Sequence, residues 1–326
     1  MMDENLKTKS NQKPESDFSE FKGFINFDSA FGISSAAAPP SPLQKSLAHV
    51  SGPLFWTFFL YICFIFISYI AYFAFAMMTA LSPYLFSNAF SADALPAPIS
   101  AVLSFAVTYH ILIAAVLAFL NFAVSFADYY LSKKSIRNHL TGLLSSASKS
   151  TLWMTVLFTG SLIIGYAAGY LNPDLFEYLL GSLVLPESDA FGIMLHIFFN
   201  NTRIAFILVF MGFILGVLPV TIIFINGYIV GVVSEHILRN ENMLFLLTGL
   251  APHGIVEIPM ILLSAGVGYS SGVLAANALF GRKTLADFKQ HFIGATWIFF
   301  LLVVPLLFIA AVIEVYVTAP LLGVPF

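Results

Sequence analysis

His253 and Glu257 stand four residues apart in the segment Ala-Pro-His-Gly-Ile-Val-Glu-Ile-Pro, residues 251–259. On a helix that spacing puts both side chains on one face. An imidazole and a carboxylate so placed could ligate a metal, serve as base and acid in an intramembrane hydrolysis, or line a path for protons or substrate. The flanking residues are apolar, and an ionised carboxylate at the centre of a bilayer costs about 2.5–3.5 kcal/mol even on lenient insertion scales. Glu257 therefore needs a partner, and His253 is the nearest in sequence. A metal site usually takes three protein ligands. His196 and His236 are the only nearby additions, and no His-Glu-x-x-His run appears. No metal and no cofactor is assigned on this basis. The structural alternative is a buried hydrogen-bonded pair that fastens a broken helix: Pro252 suits a first helical turn and Gly254 permits close approach of another backbone.

Other polar residues at membrane depth are few. Asn200, Asn201 and Arg203 stand at the entrance to a long apolar segment, and Asn226 precedes Gly227 inside it. Asn226 is expected to bridge a break at Pro219 or to bond to the Pro-His-Gly turn. Asn200-Asn201-Thr202 also fits a glycosylation pattern of low specificity. His110 and Asn121 are expected to hydrogen-bond between helices. No phosphate-binding loop and no Gly-x-Ser-x-Gly turn is present, so neither an NTPase nor an α/β-hydrolase is supported, and no catalytic residue is assigned.

The elements that must position these residues follow from composition. Of 326 residues 59% are hydrophobic and 10% charged, against about 25% charged in soluble domains. Five of the 14 Lys and Arg and six of the 17 Asp and Glu fall in residues 1–53, which leaves the rest poorer still. The fold class is an all-α polytopic membrane protein of about six hydrophobic segments. These run from about 54 to 81, 99 to 127, 152 to 171, 204 to 233, 243 to 276 and 292 to 317. The lipid bilayer is its medium, and a net charge of −3 without a basic stripe excludes nucleic acid as a partner. The lone Cys63 excludes a disulfide framework.

Four units result: a polar, partly disordered tail (1–53) with a possible short helix after Asp17, a transmembrane hairpin (54–130), an amphipathic linker (131–151) and a transmembrane domain (152–326). Ile136, Leu140, Leu143 and Leu144 recur at helical spacing in the linker, which is expected to lie along the inner leaflet. Ser188 is expected to cap an interfacial helix over 190–201. The basic loop after the hairpin makes the N-terminus cytoplasmic, in the cell membrane. Six single crossings would then strand Arg282, Lys283 and Lys289 outside. That conflict vanishes if 204–233 or 243–276 is broken or re-entrant, and both contain Pro and Gly.

Glycines four apart recur as Gly165/Gly169, Gly212/Gly216, Gly227/Gly231 and Gly268/Gly272, with Gly266 beside the last pair. Such pairs clear a helix face for close packing, within one chain or between two.

The segment from Phe198 through Gly231, followed by residues 250–272, resembles the stage II sporulation protein M family. Asn200, Asn201, Gly212, Gly216, Asn226, Gly227, Gly231, Pro252, His253, Gly254, Glu257, Gly266 and Gly268 carry the likeness, over about residues 152–326. The resemblance implies an integral membrane component that works with other envelope proteins. It implies no catalytic activity. The resulting expectation is a non-enzymatic multi-pass scaffold or anchor acting as a homodimer or with other membrane proteins. The alternatives are a permease-like transporter subunit with a midplane polar site and an intramembrane hydrolase using His253 and Glu257.

Overall fold

A computed structural model describes residues 41–85, 97–132, 135–180 and 189–323, with the side chains of 69–108 and 180 left aside. The polar tail up to residue 40, the helix expected after Asp17, and Ser188 lie outside the described residues. Every described element is helical. In chain order they are α1 (Pro42–Leu85), α2 (Ala97–Leu131), α3 (Ile136–Leu171), α4 (Leu175–Leu180), α5 (Ala190–Phe210), α6 (Val217–Asn240), α7 (Met243–Leu279) and α8 (Leu285–Ile298). A π-helical turn (Phe299–Val303), α9 (Val304–Ile313), a second π turn (Glu314–Thr318) and α10 (Ala319–Leu321) continue α8. Seven of the resulting segments are long and apolar enough to cross a bilayer. The chain is an all-α polytopic membrane protein.

Local chemistry sets the helix starts. Ser41 and Gln44 exchange side-chain and backbone bonds around Pro42, a capping box with proline at the first helical position. Asp189 accepts from Gly192 N–H, Asn242 from Phe245 N–H, and Thr284 pairs reciprocally with Asp287. Large side chains such as Phe55, Phe210 and Trp297 fill the interior, but many apolar side chains also face outward and small residues sit at helix contacts. Leu60, Ile163 and Ile255 face outward, whereas Ala118, Ala205, Ala265, Ser264 and Ser271 are buried. Lipid tails solvate leucine as well as protein does, so close packing of small residues drives helix association instead.

The glycine pairs mate with one another inside the chain. A Cβ on Gly165 would strike the Tyr228 carbonyl, and one on Gly231 would strike the Leu162 carbonyl. Gly227 lies on Phe158 and Ser161, and Gly169 on Glu235. Thus 165/169 on α3 meets 227/231 on α6. In the same way Gly212 abuts Gly268, and Gly272 abuts Gly212 and Gly216. Gly266 rests on the Thr151 backbone of α3. All four pairs are used in packing within one chain, and the motive they gave for a homodimer is gone.

The 204–233 segment is broken, and the 243–276 segment is not. Residues 190–210 form one membrane-length helix, so the stretch 190–201 is the first half of a span rather than an interfacial helix. The chain then turns at Met211–Gly216, where Leu215 (φ 51°) and Gly216 (φ 72°) are both left-handed. That conformation is free for glycine and costs leucine of order 1–3 kcal/mol. Pro219 lies within the first turn of α6 and causes no break. Helix α7 runs unbroken through Pro252 and Pro259, so Pro252 does not open a helix and nothing there is re-entrant.

Contacts fix the directions. Residues 158, 165 and 170 of α3 meet 227, 228 and 239 of α6 in the same order, so these helices run parallel. Helix α7 runs against both, with Gly266 at Thr151 and Gly268 at Pro219. The final span opposes α5, pairing Phe210 with Phe292, Phe206 with Phe299 and Phe198 with Phe308. The turns at 211–216 and 280–284 therefore share one end of the bundle. From residue 136 onward the expected amphipathic linker forms the first sixteen of the 36 residues of α3. Its Ile136, Leu140, Leu143 and Leu144 pack on the protein core rather than on lipid, with Leu143 over Gly294.

Candidate functional site

His253 and Glu257 do share a face of α7, and a third group joins them. Glu314, from the second π turn, completes a cluster whose ligand-type atoms all lie within 4.8 Å of one another. His253 Nδ1 stands 3.4 Å from the Thr318 hydroxyl at the other end of that turn. Each π turn ends just before a proline, Pro305 or Pro320. Proline offers no N–H and crowds the preceding carbonyl, and a local widening to the i→i+5 pattern accommodates it. Ala319 N–H accordingly bonds to the Glu314 carbonyl.

His253 and Glu257 lie ten and fourteen residues into α7, and Glu314 lies seven residues before the end of α10. At about 1.5 Å per residue the cluster sits about 10–20 Å inside the helix ends, within the apolar slab. All three side chains are partly buried. Among the described residues, neither carboxylate lies within ion-pair distance of a Lys, Arg or His nitrogen, and neither accepts a hydrogen bond. Two like charges at this separation repel, and a proton or cation held between them removes the repulsion. His253, Glu257 and Glu314 are thus the groups that could hold a metal or a mobile proton.

The other flagged residues go elsewhere. Asn226 donates to the Ile222 carbonyl of its own helix (2.8 Å), and so neither bridges Pro219 nor reaches the Pro-His-Gly segment. Gly227 packs on α3. Gly254 is buried, but a Cβ there would make only ordinary contacts with Leu250 and Ile258, so no backbone approaches it. Asn200 and Asn201 stand mid-helix in α5 rather than at its entrance, and Asn200 accepts from Arg203 (3.1 Å). A helical, mid-span position does not suit a glycosylation acceptor. His110 bonds to the Tyr61 hydroxyl (2.6 Å) and Asn121 donates to the Leu54 carbonyl (3.3 Å), both between α1 and α2 as expected.

Besides Glu314, three polar groups absent from the sequence-based expectations make contacts inside the bundle. Glu235 is buried and receives Arg239 at 2.5 Å, while Arg239 also donates to the carbonyls of Gly169 and Tyr170. One guanidinium thus neutralises a buried acid and caps the last turn of α3. His291 Nε2 lies 3.0 Å from the Ser271 hydroxyl and 3.3 Å from the Val267 carbonyl, beside the Gly268/Gly272 contact. The (i, i+4) spacing of Glu235 and Arg239 was a readable signal; the partners of His291 were not.

A family model, stage II sporulation protein M, matches residues 57–319. The chain belongs to the stage II sporulation protein M family. The match extends the likeness beyond the expected 152–326 to most of the α1–α2 hairpin, and so covers the helices that His110 and Asn121 tie together, while it stops at residue 319. Of the residues that carry the resemblance in sequence, Gly212, Gly216, Gly227, Gly231, Gly266 and Gly268 pack helices together and His253 and Glu257 join the polar cluster, whereas Asn200 and Asn226 bond within their own helices and no other helix's backbone approaches Gly254. No curated protein and no solved structure matches the chain.

Proposed function

We propose that this family member is a permease-like membrane component whose His253–Glu257–Glu314 cluster binds and passes a cation or proton. The observation that carries this reading is a pair of carboxylates from two helices, facing each other beside His253 at membrane depth with no Lys, Arg or His nitrogen within ion-pair distance among the described residues. Ionisable groups so placed commonly mark ion or proton paths, because a purely structural role would not repay their desolvation. The second π turn of the last span presents Glu314 toward α7 within the apolar slab. The chain reconstituted in liposomes should dissipate an imposed pH or cation gradient. Glu257→Gln and Glu314→Gln should each reduce that flux at least tenfold; unchanged flux in both would sink the reading.

A scaffold or anchor role is the second reading, favoured by one feature. His196 and Arg203 are exposed on α5 with Asn200 between them, a polar stripe on a membrane-length helix. Polar groups on such a face are best satisfied by another protein. Photocrosslinkers at His196 and Phe199 in native membranes should capture a partner on this reading, and yield lipid adducts alone if it is wrong. Lys45, Arg137, Arg282, Lys283 and Lys289 lie at one end of the bundle with Asp128 and Asp287, and Asp174, Glu177, Asp189 and Glu241 at the other with Arg239. The basic excess at the first end supports a cytoplasmic N-terminus.

A further inference from the structure

We infer that His253, Glu257 and Glu314 form a binding site for a divalent d-block cation of the Zn²⁺ class, with Thr318 as the positioning residue. The inference rests on the ion-path reading above and narrows it to a kind of ion. Two carboxylates and a neutral imidazole carry a charge of −2, which one divalent cation cancels. A neutral centre is the least costly form in which such groups occupy a low-dielectric slab. The mixed nitrogen and oxygen donors select the metal: Ca²⁺ takes six to eight oxygens and Mg²⁺ a near-octahedral oxygen shell, whereas imidazole suits Zn²⁺ and its neighbours.

The geometry is close to what is needed. Zinc bonds of about 2.0–2.2 Å in a tetrahedron set ligand atoms about 3.4 Å apart. The three donor atoms lie within 4.8 Å of one another, so side-chain rotations drawing them in by about an ångström assemble the site. Three protein donors leave a fourth position open, whereas purely structural zinc sites are closed by four protein ligands. Thr318 contributes indirectly. A bond from His253 Nδ1–H to its hydroxyl leaves Nε2 with a free lone pair, the role that outer partners of metal-bound histidines play. The π turn makes this possible by presenting Glu314 and Thr318 together toward α7.

The test is titration of the detergent-solubilised full chain with ZnCl₂, followed by calorimetry. One saturable site per chain is expected, weakened at least tenfold by Glu314→Gln and by His253→Gln, and by about tenfold in Thr318→Val. Each variant is first checked for an unchanged melting temperature without metal. Zinc K-edge absorption on the unaltered protein gives a readout that needs no variant: nitrogen and oxygen neighbours only, with one imidazole. Absence of saturable binding, binding indifferent to Glu314→Gln, or a sulfur neighbour from Cys63 overturns the inference. Glutamate-dependent proton flux without zinc binding would overturn the metal site and leave the ion-path reading standing. Zinc binding with no flux would do the reverse.

Discussion

Glu235 shows how much one buried charge depends on one partner. Arg239 reaches it with two nitrogens and also satisfies the end of α3. Arg239→Ala should lower stability by about 1–3 kcal/mol, since it leaves a buried acid and two carbonyls without a donor. Adding Glu235→Gln should recover part of that loss, because the uncompensated charge is removed. Thermal unfolding of the two variants in detergent checks the order. The same reasoning that flags Glu257, a carboxylate in an apolar run, applies equally to Glu314 in Ala-Ala-Val-Ile-Glu-Val-Tyr-Val. By helical spacing Glu257 has His253 alone as a partner. Glu314 lies fifty-seven positions away, a separation that no local spacing rule bridges.

At the scale of elements, the paired glycines are the test of close packing. Gly231→Ala should destabilise by at least 1–3 kcal/mol, because its Cβ would meet backbone atoms of α3, which cannot rotate away. Gly160→Ala is the matched control: nothing lies within 4 Å of its Cβ, so it should be neutral or slightly stabilising through helix propensity. Equal melting temperatures for the two would contradict the packing described. The glycine spacing itself was legible; which pair meets which was not, because a cleared face does not name its partner. The position of the break was also hidden. Prolines drew attention to 219 and 252, yet helices tolerate proline where neighbours re-satisfy the backbone, and the turn lies at Leu215 and Gly216.

At the scale of the whole molecule, seven membrane-length helices each crossing once would remove the charge conflict that six crossings create. The helix directions put residues 215 and 282 at one end and 241 at the other. In a Cys63→Ala background, Leu215→Cys and Arg282→Cys should react with a membrane-impermeant thiol reagent from the same side, and Glu241→Cys from the opposite side. Labelling of 215 and 241 from one side would refute the seven-span arrangement. Composition and hydropathy determined by themselves that this chain lives in a bilayer, how its charge is distributed and which apolar stretches become helix, because those properties depend on local transfer energies. Only the tertiary structure decided that the glycine pairs mate within the chain, that α5 and α6 are separate spans, and that Glu314 meets His253 and Glu257. Lipid gives helices no hydrophobic reason to choose partners, so the choice rests on shape and on polar groups far apart in sequence.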